Sequence, residues 1–482
     1  MRKESLQKFI GNDYKKCVYL SVEIGLILFF VATLFMFIAD SPFAIWNDEV
    51  WSIKAYKGTF VDIVSTYSHD LYPPMEGVLR KIFAYLFTGS LFSMKAFSII
   101  PTILTMAFMF LFLKKEFSDK VAIIFLLSFC ASKPIIHFST EIRMYTWALF
   151  FISMLIPTSW YIVKTSKIKW WCLFAFSAVC AAYTHYYAAL NAAIVYLFLL
   201  IYMFVKDRKQ TKKALMTGVL CTIVYLPWVS IAFSSFAKIS KGFWIAPITI
   251  KTVFYWLIYP FVLTSWRVQA DDIMYIGVYI IALVIFLCKS RTNKKVLFAF
   301  TGLICAISLI SISLVVSLCT TTPIITDRYL FCSFSLVFFF IAVVIGSVRY
   351  RVVYLTIAAL LFSIVVYRTV LIHRSYLLEN KNYEDAVNFL NNNVRSDDIF
   401  VFDRKAYPGS HLTSVFAFLF PKNRQFDIDT FLSPPSSTKF PVNFWLVAIP
   451  DEILQHDASL KSCGTFQIHE MYRYDVSNYR ES

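Results

Sequence analysis

Residues 188–205 read AALNAAIVYLFLLIYMFV, residues 206–213 KDRKQTKK, and residues 214–234 ALMTGVLCTIVYLPWVSIAFS. Two apolar runs thus flank a turn bearing Lys206, Arg208, Lys209, Lys212 and Lys213. A bilayer crossing takes about 20 mostly apolar residues, so this stretch reads as two membrane spans joined by a short basic turn. The same criterion places further spans near 17–39, 97–113, 119–136, 144–163, 169–187, 272–288, 296–318, 328–347 and 350–370. The expected architecture is an all-α polytopic membrane protein of about eleven transmembrane helices.

Composition agrees. Of 482 residues, 58% are hydrophobic and 16% charged, whereas soluble domains are roughly 45–50% apolar and about a quarter charged. With the N-terminus in the cytoplasm, the inner segments carry Arg2, Lys3, Lys8, Lys15, Lys16; Lys114, Lys115, Lys120; Lys164, Lys167, Lys169; the five of the opening turn; Lys289, Arg291, Lys294, Lys295; and Arg349, Arg351. Each inner turn is basic, as orientation by retained positive charge requires. The net charge of +16 therefore reflects topology, and no nucleic-acid partner is expected. The first span follows a basic stretch and has no small-residue cleavage site, so it reads as a retained anchor.

Residues 1–371 form the expected transmembrane domain, with a first outer loop at 40–96, and residues 372–482 a small extracytoplasmic α/β domain. In the latter, Tyr383 to Leu390 has a helical pattern, while Ile399 to Asp403 and Phe444 to Ile449 read as strands. Asp427-Ile428-Asp429 imitates an acid-x-acid metal element but reads as strand or turn. The apolar stretch 251–266 would reverse every later loop if it crossed, so an interfacial helix on the outer face is expected there. No two of the 12 glycines lie within five residues of each other, which excludes a dinucleotide fingerprint and a P-loop. The cysteines have no ligand or disulfide spacing, and most sit in apolar runs where Cys acts as a small hydrophobe.

Ionisable residues avoid the middles of the spans and gather at the outer ends, unlike a proton or ion pathway, which places them at mid-bilayer. Asp48-Glu49, flanked by Trp46 and Trp51, offers a general base; the alternative is solvated acids in an interfacial aromatic belt. Asp70 precedes Tyr72-Pro73-Pro74, whose prolines stiffen the chain. Glu141, Arg143 and Tyr145 open the fourth span, and Arg328-Tyr329 the tenth. A guanidinium fork suits phosphate oxygens, so the two arginines form a candidate phosphate clamp; an arginine snorkelling to the interface or paired with Glu141 is the alternative. His185-Tyr186 closes the fifth span and Lys241 follows the seventh, where His185 is either a substrate contact or a satisfied interfacial histidine.

The order of these motifs resembles the polytopic GT-C glycosyltransferases. It runs from the acid pair, through D-x-x-P-P, P-x-x-H-x-S-x-E-x-R-M-Y beginning at Pro134, T-H-Y at Thr184 and F-W-I-x-P at Phe243, to a late R-Y at Arg328. Within that group it is most similar to bacterial relatives of protein O-mannosyltransferases and of the lipid A aminoarabinose transferase, over about residues 20–350. The resemblance implies Asp48 as general base with Glu49 beside it, and a sugar carried on a polyprenyl phosphate held by Arg143 and Arg328. Asp70, Tyr72, Glu141, Tyr145, His185, Tyr186, Lys241 and Tyr329 are the further candidate substrate contacts. The family's His-Pro-Pro reads Tyr72-Pro73-Pro74 here. The expected activity is inverting transfer of a monosaccharide to a hydroxyl of a lipid, glycan or protein acceptor on the extracytoplasmic face of a bacterial inner membrane. No obligatory cofactor is expected, although Asp48, Glu49 and Asp70 are able to share a divalent metal. A flippase of lipid-linked sugars is the rival, and it predicts polar groups through the bundle and internal repeats.

Overall fold

In the computed structural model, the structure describes residues 2–40, 45–69, 72–239, 245–263, 268–289, 293–320, 322–402, 409–427, 444–447, 461–469 and 472–479. The chain divides into two compact units, Met1–Phe35 with Gly58–Thr369 and Met36–Lys57 with Val370–Ser482.

The first unit is helical. It contains most of α1 (Arg2–Asp40), then, after α2 (Asn47–Lys57) of the second unit, α3 (Phe60–His69), α4 (Met75–Leu86), α5 (Leu91–Glu116), α6 (Asp119–Ala131), α7 (Lys133–Thr140), α8 (Tyr145–Thr165) and α9 (Ile168–Thr184). It continues with α10 (Tyr186–Lys206), α11 (Arg208–Ile239), α12 (Ile250–Ile258), α13 (Ala270–Lys289), α14 (Lys294–Thr320), α15 (Asp327–Leu330) and α16 (Phe334–Gly346), and α17 (Arg351–Asn393) begins in it. Among the described residues, nine helical stretches are long and apolar enough to cross a membrane; one bent pair passes together, and α9 is apolar but has 17 residues. Each of the eleven expected spans falls on one of these, so the chain is an integral multi-pass membrane protein. The stretch near 251 is helical as expected, and α12 with its nine residues is too short to cross.

Helix starts follow local chemistry. The Ser90 side chain accepts from the Ser93 N–H and the Ser118 side chain from the Val121 N–H, while Thr249 and Thr252 form a capping box, each satisfying donors that a helix start leaves open. The third span, expected to be continuous, is bent by 66° between α6 and α7. Pro134, at the start of α7, has no N–H to continue the ladder, and its ring disfavours helical backbone just before it. The carbonyl of Ala131 instead accepts from Arg368 Nη1 at 2.6 Å. Arg368 also bonds Asp271 (2.6 Å) and Asp272 (2.7 Å), and Lys133 reaches the same two carboxylates at 3.1 and 2.9 Å. These four side chains are almost wholly buried, so their charges are matched within the fold, as burial demands.

The span Asp327–Gly346 is 94% enclosed and packs on α6, α8, α13 and α14. A Cβ at Gly346 would lie 2.4 Å from Val121 Cγ2 and 3.1 Å from Val121 Cα, so only glycine allows this approach, in keeping with small residues where membrane helices meet.

In the second unit a five-stranded sheet runs in the order β2-β1-β3-β5-β4. β1 (Ile399–Phe402), β2 (Arg424–Asp427) and β3 (Phe444–Val447) are parallel; β4 (Lys461–His469) and β5 (Tyr472–Tyr479) are antiparallel to their neighbours. α18 (Gly409–Leu419) connects β1 to β2 and contacts α2. Phe400, Phe402, Phe416, Trp445 and Val447 form the core, and buried Asp398 accepts from the Trp445 indole at 2.8 Å. The expected helix at 383–390 is the end of α17, which runs unbroken for 43 residues. Asp427 ends β2; Ile428 and Asp429 lie outside the described residues.

Candidate active site

The first unit brings together the aromatic and cationic residues from the span ends opposite the basic turns. His185 is the single residue between α9 and α10. Its extended backbone (φ −158°) breaks the helix, and its Nδ1 accepts the Tyr187 backbone N–H at 3.1 Å, capping α10. Four tyrosine rings surround its imidazole: Tyr329 at 5.1 Å, Tyr72 at 5.8 Å, Tyr145 at 5.9 Å and Tyr187 at 6.0 Å between centroids.

Both expected arginines stand next to this cluster. The Arg143 guanidinium lies over the Tyr72 ring at 4.9 Å, and that of Arg328 lies 5.9 Å from the Tyr329 ring. The backbone places Arg143 in the short link between α7 and α8, where its N–H bonds the Glu141 carbonyl at 2.8 Å. Arg328 is in α15, where Asp327 Oδ1 accepts its N–H at 2.8 Å. Burial, Arg143 and Arg328, in that order, push the His185 imidazole down to about 3, so it is neutral at physiological pH. Glu141 is buried, and its Oε2 lies 3.7 Å from His137 Nε2. Among the described residues the Tyr145 hydroxyl and His185 Nε2 are buried without a hydrogen-bond partner. Two cations and two such polar groups suit an anion with several oxygens.

The first outer loop is tied down beside this cluster. The Tyr67 hydroxyl donates to Glu76 at 2.9 Å, Glu76 pairs with Arg80, and Arg80 donates to the Met94 carbonyl at 2.8 Å. Burial and the Glu76 carboxylate raise the Tyr67 hydroxyl well above its ordinary value. These contacts fix α3 and α4, which bracket Tyr72-Pro73-Pro74.

Asp48 and Glu49 lie in the first turn of α2, within the second unit. Glu49 is buried and accepts the Trp46 N–H at 3.1 Å, closing the helix start, while Asp48 is half-buried. Tyr186 is directed to α11, where its hydroxyl accepts from Trp228 at 3.3 Å; its neighbour Tyr187 joins the His185 cluster and was not expected there. Asp70 and Lys241 lie outside the described residues. Among the described residues no group of three or more His, Cys, Asp and Glu side chains is arranged to hold a metal ion.

A small apolar pocket of about 20 Å³ lies between α12, α13, α14 and the tenth span, lined by Trp256, Tyr279, Ile307, Leu330 and Phe334 among others.

No protein-family profile matches the chain, and no curated protein does. Several solved structures match in fold, among them two of ArnT. ArnT from Cupriavidus metallidurans in the apo state is 12% identical, with a TM-score of 0.57 over 95% of this chain and 98% of that one. ArnT from the same organism bound to undecaprenyl phosphate is 12% identical, with a TM-score of 0.58 over 94% and 98%. The chain therefore has the GT-C-like fold of ArnT, the architecture that the order of its motifs implied.

Proposed function

We propose that this chain is a membrane glycosyltransferase that moves a monosaccharide from a polyprenyl phosphate to an acceptor hydroxyl. The observation that carries the reading is the meeting of Arg143 and Arg328, from spans far apart in sequence, around the buried His185 and Tyr145. Support comes from the shared fold with a protein crystallised with undecaprenyl phosphate.

In the proposed reaction Asp48 takes the proton of the acceptor hydroxyl, and the acceptor oxygen attacks the anomeric carbon. The carbon–oxygen bond to the carrier phosphate breaks with its electron pair going to the phosphate, and the anomeric centre inverts. Negative charge grows on the leaving phosphate between two fixed guanidinium groups in a poorly hydrated site, where such preorganised charge is most effective. The reaction is proposed to need no metal, and to occur on the extracytoplasmic face of a bacterial inner membrane, with the N-terminus cytoplasmic and the tail outside.

Membranes supplied with a radiolabelled polyprenyl phosphate sugar test the reading. Label is expected in an acceptor, unchanged by EDTA. Arg143→Ala or Arg328→Ala should lower the rate by about 10²–10³, and Asp48→Asn should retain the donor but lose transfer. Near wild-type turnover in the Asp48 variant, or label that crosses the bilayer without changing partner, overturns it.

A further inference from the structure

We infer that the Nε2–H of His185 is an uncharged donor to the carrier phosphate, with its tautomer set by the backbone of Tyr187. This rests on the reading above, in which a phosphate occupies the cluster. The Nδ1 of His185 accepts the Tyr187 N–H at 3.1 Å, and a ring nitrogen that accepts carries no proton. The proton of the neutral imidazole is therefore on Nε2. Burial and both arginines disfavour a second proton. His185 is 3% exposed, and among the described residues Nε2 has no hydrogen-bond partner, although buried donors are nearly always paired.

The surroundings select the ligand. The Tyr187 hydroxyl is committed to the Ile324 carbonyl at 2.8 Å, whereas the Tyr145 hydroxyl, like Nε2, has no partner among the described residues. Arg143 and Arg328 beside them repel a cation and favour an anion with several acceptor oxygens. Of the four tyrosines around His185, Tyr72 is the one that is half-buried, so the phosphate reaches Nε2 from that side.

The chemistry favours a neutral donor. As the bond from the anomeric carbon to the phosphate oxygen breaks, the phosphate charge goes from −1 toward −2, and a hydrogen bond to it strengthens. A neutral imidazole is too weak an acid to surrender its proton, so it stabilises the leaving group without protonating it, a pattern known where an imidazole is held uncharged at a helix start.

The full-length protein in lipid nanodiscs, titrated with undecaprenyl phosphate, separates this role from plain helix capping. His185→Asn keeps a short acceptor for the Tyr187 N–H but ends before the Nε2 position. His185→Gln places an N–H at that position and weakens the cap. Hydrogen bonds to charged groups set the expected scale: the Asn variant should bind on the order of 10–100-fold more weakly with its melting temperature kept, and the Gln variant within about threefold of wild type. Wild-type affinity in the Asn variant, or loss in the Gln variant alone, overturns the inference while leaving the phosphate clamp intact. If Arg143→Ala and Arg328→Ala also bind as tightly as wild type, the phosphate reading itself fails and this inference with it.

Discussion

Arg143 and Arg328 draw their use from the rings they lie against. A guanidinium stacked on a tyrosine face is held in plane and in place, which a lysine ammonium cannot reproduce. The same cations shape the acid response of the fold. The folded chain keeps His185 neutral down to about 3, whereas an unfolded histidine takes up a proton near pH 6.5. Between those values the unfolded state binds more protons, so stability falls as the solution is acidified. The melting temperature of the purified protein should therefore drop between pH 6.5 and 4.5, and the drop should be smaller in His185→Gln; equal slopes would remove His185 from this linkage. Most of the cluster was legible in the sequence, because arginine, histidine and tyrosine at span ends stand out against apolar neighbours. Tyr186 and Tyr187 were not separable. Adjacent residues on a helix point about 100° apart, and nothing local shows which one faces the bundle.

At the scale of elements, the bend between α6 and α7 matters most, since α7 leads directly into Glu141 and Arg143. Its charges form one buried group of Lys133, Asp271, Asp272 and Arg368. Removing one partner of a buried ionic group costs about 3–5 kcal/mol, because the remaining charge stays unmatched. Arg368→Met should destabilise the protein by roughly that amount in reversible unfolding in mixed micelles, and Arg368→Lys by less. An Arg368→Met protein as stable as wild type would show the network to be energetically idle. The apolar runs announced the spans, but the break was masked by apolar residues on both sides, and Pro134 was its one local mark. Lys133 and Arg368 went unread for a different reason: their partners are about 100 or more residues away, and no periodicity connects them.

For the whole molecule, the distribution of Lys and Arg predicts a single orientation. Alkaline phosphatase fused after Lys209 should be inactive, and the same enzyme fused after Asn393 should be active, because it folds only outside the cytoplasm; the reverse result would invert the topology. The fold class was legible because a bilayer imposes length and charge rules on every span. The grouping of Met36–Lys57 with the tail was not, since it depends on packing between distant segments. The enclosed span Asp327–Gly346 also constrains biosynthesis. Translation proceeds from the N-terminus, so α6, α8, α13 and α14 are made before the helix they surround, and their mutual packing cannot be completed until that helix has been made. A chain truncated ahead of residue 327 therefore leaves the apolar faces of all four helices without their shared partner.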